Sequence, residues 1–531
     1  MQGEVELHKT RGEEINNNNV EEYEGVTIIR PIKGIDPELS SCLESSFCQN
    51  YPKDKLQILF CIDNPQDTPI PIIKHLIAKY PTIDAKILIS ENYNNDIGHS
   101  DDYFGPNPKV NNLAKGVSQA KYDILWIMDS NVWASSNILK NSILTMKYNL
   151  NNGRQLGSSG NRKVKLVHHV PLALSINKQP NNFKTNEDLE YGLTPVQSND
   201  SDYCSNSNSN SNSSSSLASS VAIQRKPSPL RGPNSSPPEP SSSKETSPIA
   251  SSPIISRRKH LFKSLGAKLD EMFLHTSHSK FYVALNNMSV APCVNGKSNI
   301  YRKSDLDRSV QLIPSQPCPF FADQNVKNDA KYYSSLGPGH SMKFFSRYIG
   351  EDNMIGIALW ENCAGRTGLT GDVVVQPLSG SDNTLNDYIM RRVRWLRVRK
   401  YMVLLATLIE PTTESIICGL YGTFGLSALF FNCRFYWPWF IFHMVIWCLT
   451  DYVQYNTLVG HVFNDQNLIG YVPKWLQKRP DEDRKVIDWL YIWFLREVLA
   501  LPIWISAIWG HEIDWRGKPF KIKKDLTAEE L

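Results

Sequence analysis

The block IDWLYIWFLREVLALPIWISAIWG, residues 487–510, sets the tightest limit on what this chain can become. A run that apolar must be covered by protein or by lipid, and about 20 such residues in a helix match the hydrocarbon thickness of a bilayer. Arg496 and Glu497 lie near its centre, where ionisable groups are costly unless they face a protein interior, a partner or a polar cavity. Two shorter apolar blocks precede it, SIICGLYGTFGLSALFF (415–431) and FYWPWFIFHMVIWCLT (435–450). Both are marginal for spanning, which leaves re-entrant or interfacial placement open. Many Trp and Tyr lie beyond residue 430, the habit of amphipathic rings at a membrane–water boundary. Residues 401–515 are therefore expected to form a membrane region of transmembrane or interfacial helices, with the number of spans left open.

The N-terminal part has a different pattern. GVTIIRPIKG, LQILFCIDN, AKILISE and YDILWIMDSN read as buried strands, and TPIPIIKHLIAKY as a helix between them. Strands alternating with helices predict an α/β domain with a largely parallel sheet, in which ligands bind at the carboxyl ends of strands. Two strands run into acids there: Asp63 and Asp67 after one, Asp129 after another. Between about 175 and 257 the chain turns to serine, asparagine and proline, as in CSNSNSNSNSSSS, and lacks the apolar residues needed to offset chain entropy. Order resumes with a helical pattern at KSLGAKLDEMFLHTSHSKFYVALNN, a turn and helix at RYIGEDNMIGIALWENCAGRTG, and a strand at DVVVQPLSG. The expected organisation is a disordered N-terminus (1–24), two halves of one catalytic domain (25–174 and 258–400) around a disordered insert (175–257), the membrane region, and a tail (516–531).

Net charge is +4 with 21% charged residues, so nothing global argues for a nucleic-acid partner. The ten cysteines form no CxxC and no zinc spacing, and read as reduced thiols. An aspartate at a strand end, such as Asp129, can hold a divalent cation that neutralises a diphosphate, although acids cap strand ends routinely. Asp352 opens a helix, where an N-terminal acid is favoured electrostatically, yet partial burial would equip it as a general base. MRRVRWLRVRKYM packs Arg391, Arg394 and Trp395 beside Arg397, Arg399 and Lys400. Arg391 and Arg394, three apart, share a helix face and can clamp phosphate oxygens.

Acids after two strands, a third before a helix, R-x-x-R-W and then apolar segments resemble the membrane-bound inverting glycosyltransferases that carry a (Q/R)-x-x-R-W motif. GVTIIRPIKGIDPEL, NYPKDKLQILFCIDNPQD, PKVNNLAKG, AKYDILWIMDSN, HTSHSKFYVALN, GEDNMIGIAL, RRVRWLRVRKYM, FLREVLALPIWISAIW and TAEEL narrow this to the ceramide glucosyltransferases. The resemblance covers most of residues 25–530 apart from the serine-rich insert. It implies a GT-A type nucleotide-sugar-binding domain on the cytosolic face of a Golgi or ER membrane, with UDP-glucose and ceramide as substrates. It assigns Asp352 as the base, and Asp63 or Asp67, with Asp67 favoured, to uridine. Lys109, Asn112, Asp129, Arg391 and Arg394 fall on the donor diphosphate, with Mg²⁺ or Mn²⁺ at Asp129. Trp395, His278 and Cys293 line the acceptor side, while Arg397, Arg399 and Lys400 are left to face the membrane. Asn131 stands where the family often has a second acid, which weakens the expectation of a metal. Relatives usually begin with a transmembrane helix, whereas residues 1–24 here are polar. A processive polysaccharide synthase is the alternative reading.

Overall fold

The computed structural model describes residues 23–90, 103–151, 154–155, 162–176, 265–289, 291–380, 383–463, 470–477, 485–515, 518–523 and 525–531. The expected disordered stretches lie outside these residues as far as 22 and from 177 onward. Ser175 and Ile176, the first residues of the expected insert, instead end a strand.

Apolar runs buried on both faces form β1 (Val26–Ile32), β2 (Leu56–Ile62) and β4 (Ile124–Met128), and half-buried β3 (Asp84–Ile89) closes the edge. β5 (Trp133–Ala134), β6 (Lys163–Ile176), β7 (Ser298–Arg302) and β8 (Gly365–Ser379) complete one eight-stranded sheet, in the order β3-β2-β1-β4-β7-β6-β8-β5. β3, β2, β1 and β4 are parallel, with Ile28 level with Ile58 on one side and Trp126 on the other. Near-continuous burial is what such strands require when both faces are covered.

The expected parallel sheet therefore holds for this half and turns mixed beyond it. β4 runs toward its acid, Asp129, whereas β7 begins beside it and runs away, so the two are antiparallel. The Asp129 amide donates to the Lys297 carbonyl (3.1 Å), which pins the loop before β7 to the end of β4. β6 and β8 pair in parallel along most of their length. Both expected halves of the domain thus contribute to a single sheet.

Helices α1 (Leu39–Phe47), α2 (Ile70–Lys79), α3 (Pro108–Ser118) and α4 (Ile138–Lys147) accompany the first half. The second half brings α5 (Leu265–Phe273), α6 (Ser279–Met288), α7 (Lys303–Gln311), α8 (Gln324–Ser335), α9 (Glu351–Asn362) and α10 (Leu385–Met402). α10 carries R-x-x-R-W and starts at a reciprocal cap between Thr384 and Asp387. α11 (Leu404–Ile409), α12 (Ser415–Phe430), α13 (Trp437–Val462) and α14 (Val486–Trp509) follow. Among the described residues, α14 alone is long and apolar enough to cross a membrane by length and composition. Leu405, Leu429, Phe430, Trp437, Ile487 and Trp509, spread over α11 to α14, are each more than 60% exposed, large apolar side chains left without cover by the rest of the chain.

Inside this helical part the ionisable groups are paired. Arg496 and Glu497 are almost fully buried and bonded to each other. Ser415 donates to Glu497, and Arg496 also reaches Ser277 and Glu414. Asp451 accepts from Lys280 and from the Trp493 indole. Two of the cations expected to face lipid do something else. Lys400 donates to the carbonyls of Ile508 (3.0 Å) and Gly510 (2.8 Å), and Arg397 to those of Ser506 (3.1 Å) and Glu512. They satisfy the last carbonyls of α14, where the helix dipole also favours positive charge. The expected tail supplies β10 (Lys518–Ile522) and β11 (Ala528–Glu530) of a small sheet, with Phe520 buried, whose first strand, β9 (Glu512–Trp515), is the end of the expected membrane region.

Replacing one member of the buried pair should cost more than replacing both. Arg496→Leu leaves Glu497 an unpaired buried charge and is expected to lose about 3–5 kcal/mol. The double variant R496L/E497L should lose less. Thermal unfolding in detergent measures both, and equal losses would show that the pair contributes nothing as a pair.

Candidate active site

One cavity of about 1530 Å³ opens at the carboxyl ends of β1, β2 and β4 and extends along α5, α6 and α10 to α11 and α13. Of the sequence-predicted residues it gathers Asp63, Lys109, Asn112, Asp129, His278, Cys293, Asp352, Arg391, Arg394 and Trp395 in its wall. Asp67 is not among them. Its carboxylate accepts the Gly34 amide on both oxygens (3.1 Å each) and holds the left-handed turn after β1, where Gly34 has φ of +68°. Of the two candidates for uridine, Asp63 is the one that faces the cavity.

The polar end is built around Lys109. Asn107 caps α3, accepting from the amides of Lys109 (2.9 Å) and Val110 (3.2 Å). Its side-chain amide donates to the Tyr348 carbonyl (2.7 Å) and to Glu351 (2.9 Å), so one residue fixes α3 against the start of α9. The Lys109 ammonium then meets Asp129 Oδ1 (2.9 Å), Glu351 Oε1 (3.0 Å) and the Gly296 carbonyl (3.0 Å). A Cβ on Gly296 would lie 3.0 Å from Lys109 Nζ and 3.2 Å from Asp352 Oδ2, so any larger residue would push on both of these side-chain ends. Lys297 holds the other oxygen of Asp129 (3.1 Å) and the Asn131 side chain (3.3 Å). Asn112 donates to the carbonyls of Ile32 (3.2 Å) and Cys61 (2.8 Å), tying the ends of β1 and β2 together at the cavity floor.

These pairings separate the carboxyl groups electrostatically. Burial alone would raise the pKa of Asp129, but Lys109 and Lys297 outweigh it and hold it at about 2. Asp352 is pushed up to about 7 by burial and by neighbouring Glu351, with Lys109 pulling the other way. Burial works against the Lys109 charge too, yet Asp129, Glu351 and Asp352 more than offset it and raise its pKa. One carboxylate is thus fixed as an anion while another is poised near neutrality, the separation that assigns distinct roles to two acids.

The divalent cation expected at Asp129 does not fit this arrangement. Each oxygen of Asp129 is already held by an ammonium, Asn131 replaces the second acid, and among the described residues no three His, Cys, Asp or Glu side chains converge.

On the other side of the cavity, a π-helical turn at Leu274–His278 joins α5 to α6 and sets His278 among rings. His278 stacks on Tyr282 (centroids 5.3 Å apart) and lies 6.2 Å from Trp395 and 5.6 Å from Phe273. Burial, with Arg392 and Arg399 nearby, pushes it down to about 3, so it is neutral. Burial likewise raises the Cys293 thiol to about 11, which leaves it protonated. Arg391 is bonded to buried Asp270, which also accepts from Asn383 (3.2 Å). Arg392 lies flat on Phe273, 3.4 Å from the ring centroid, and Arg394 lines the cavity. Arg399, also in the wall, pairs with Glu410 (3.0 Å) rather than facing lipid.

Four contributors escaped the sequence reading: Lys297, Glu351, Asp270 and Arg392. Glu351 was visible as the acid beside Asp352, and Lys297 as the lone cation in the APCVNGKS loop. Asp270 carried no local signal, since any amphipathic helix can present such an acid to solvent.

Comparison with known proteins identifies the family. The model of glycosyl transferase family 21 matches residues 1–153 and 339–528. A ceramide glucosyltransferase of Candida albicans is 63% identical over 514 residues, covering 96% of this chain and 88% of the relative. The ceramide glucosyltransferase of Komagataella phaffii is 43% identical, covering 96% and 84%, and that of Pyricularia oryzae 30%, covering 96% and 87%. Among solved structures, a mannosyltransferase of Pyrobaculum calidifontis in complex with GDP-Man and Mn²⁺ aligns over 92% of this chain and 88% of its own, at 11% identity and a TM-score of 0.30.

Lys109→Met removes the donor shared by Asp129, Glu351 and Gly296. A loss of about 3 kcal/mol in stability is expected, typical of breaking a buried ion pair. Lys109→Met combined with Glu351→Gln should recover part of it. Chemical denaturation of both variants checks this, and an unchanged Lys109→Met would show that the cluster does not hold α3 to α9.

Proposed function

The chain belongs to glycosyl transferase family 21, and from that premise we propose that it is a ceramide glucosyltransferase. It moves glucose from UDP-glucose to the primary hydroxyl of ceramide with inversion, giving glucosylceramide and UDP. The observation that carries this reading is the single cavity that joins two chemistries. Its charged end lies at the strand termini, and its other end, lined by Phe281, Met390, Trp395, Ala406 and Trp447, reaches the apolar helices. A sugar nucleotide suits the first and a lipid the second. The ceramide-named relatives match nearly the whole chain, which favours this reading over a polysaccharide synthase.

Asp352 supplies the chemistry that inversion needs. The ceramide hydroxyl oxygen attacks the anomeric carbon while Asp352 takes its proton, and the bond from that carbon to the diphosphate breaks with its electron pair leaving on UDP. A single displacement of this kind needs a base on the face opposite the leaving group and no covalent nucleophile. A base whose pKa is about 7 is matched to that task. Burial makes the His278 ring a poor proton acceptor, with a pKa of about 3, and the Cys293 thiol stays protonated, so Asp352 is the best-matched base among these groups. Asp63 is assigned to uridine, Arg394 to the diphosphate, and Trp395 with His278 to the acceptor wall.

The exposed apolar faces of α11 to α14 support a membrane-bound enzyme, with the aromatic rings at the lipid boundary. A ceramide would then enter from the bilayer at the apolar end of the cavity. We assign it to a Golgi or ER membrane with the catalytic domain toward cytosolic UDP-glucose, as the family resemblance implies.

Two results are expected from membranes supplied with UDP-glucose and ceramide. Asp352→Asn should form glucosylceramide about 100- to 10,000-fold more slowly, the usual range for losing a general base. In the wild type the rate should fall as pH drops through about 7, because protonated Asp352 cannot accept the hydroxyl proton. Lys109 pulls the Asp352 pKa down, so Lys109→Met should move that midpoint to higher pH. An undiminished Asp352→Asn, or a midpoint that moves down, would contradict the assignment.

A further inference from the structure

We infer that Lys297 is a diphosphate-binding residue, and that this chain binds UDP through fixed lysine charge rather than through a bound divalent cation. The inference rests on the donor site proposed above. It starts from the unequal state of the two lysines at Asp129. An ammonium has three N–H donors. Those of Lys109 are matched by three acceptors, Asp129, Glu351 and the Gly296 carbonyl, so Lys109 acts as a positioning residue. Among the described residues the Lys297 ammonium meets two, Asp129 Oδ2 (3.1 Å) and Asn131 (3.3 Å), which leaves it one donor for a ligand.

The loop is built to keep that donor in place. The Lys297 carbonyl accepts the Asp129 amide (3.1 Å), and its own amide donates to the Asn295 side chain (3.1 Å). Lys297, Asp129, Ser130 and Asn131 all line the cavity. Ser130 donates to Asp36 (2.6 Å), which also lies in the wall. Lys297 therefore stands beside the strand-end aspartate, where a metal ion would otherwise supply positive charge to the leaving diphosphate. A lysine serves there as a compact point charge, and fixed charge aimed at a leaving group stabilises the transition state without reorganisation. Asn131 suits this role. A second carboxylate in its place would neutralise the Lys297 charge and invite a cation, whereas the neutral amide takes one donor and leaves that charge for a ligand.

Binding of UDP and of uridine to the purified full chain, measured calorimetrically with EDTA present, tests the inference apart from acceptor chemistry. Wild type is expected to bind UDP in EDTA. Lys297→Ala should weaken UDP at least 10-fold while uridine affinity stays unchanged, and Lys297→Arg should restore most of it. Unchanged uridine binding shows that the site is folded. The inference is overturned if wild type binds UDP only when Mg²⁺ or Mn²⁺ is added, or if Lys297→Ala binds UDP as well as wild type. Failure to form glucosylceramide, with UDP binding behaving as described, would instead count against the acceptor assignment.

Discussion

The Lys109 ammonium has three donors, and the fold brings it three acceptors from distant parts of the chain: Asp129 from the end of β4, Glu351 from the start of α9, and the Gly296 carbonyl from the loop before β7. The rest of the site depends on that meeting. It locks α3 to α9 through Asn107, which fixes Asp352 at the mouth of the helix. It holds Asp129 ionised while leaving Asp352 near neutrality. The same charge that organises Asp129 and Glu351 therefore also tunes Asp352, the base proposed for this reaction.

A second set of pairings does comparable work where the chain turns apolar. Charges there are neutralised in place, as with Arg496 and Glu497, or spent on helix ends, as with Lys400 on the carbonyls of α14. α10 is the common element. Its middle carries Arg391, Arg394 and Trp395 into the cavity wall, and Arg397 and Lys400 farther along grip the end of α14. The catalytic wall and the apolar helices are thus parts of one rigid connection, which suits an enzyme that takes one substrate from water and the other from lipid.

Much of this was legible in the sequence. β1, β2 and β4 show in their apolar runs because they are buried on both faces, and half-buried β3 shows in its own short apolar run. Asp129 and Asp352 are legible from their order along the chain and their positions at a strand end and a helix start. The partners of Lys109 are not, since Gly296 lies 187 residues away and no local pattern records such a meeting. The strand end points to Asp63 and the family resemblance favours Asp67, but the left-handed turn at Gly34 claims Asp67 for itself. Composition also cannot tell a cation that faces lipid from one that caps a helix, and so Arg397 and Lys400 were misplaced. The antiparallel entry of β7 follows from where its preceding loop is pinned, again a tertiary fact.

The central claim is that one base, Asp352, drives a single displacement at the anomeric carbon. The anomeric configuration of the lipid product made from UDP-α-glucose, read from its anomeric proton by NMR, tests this most directly. A β-linked glucosylceramide is the result the account predicts. An α-linked product would contradict it, because retention requires either a second displacement or attack from the face of the departing UDP.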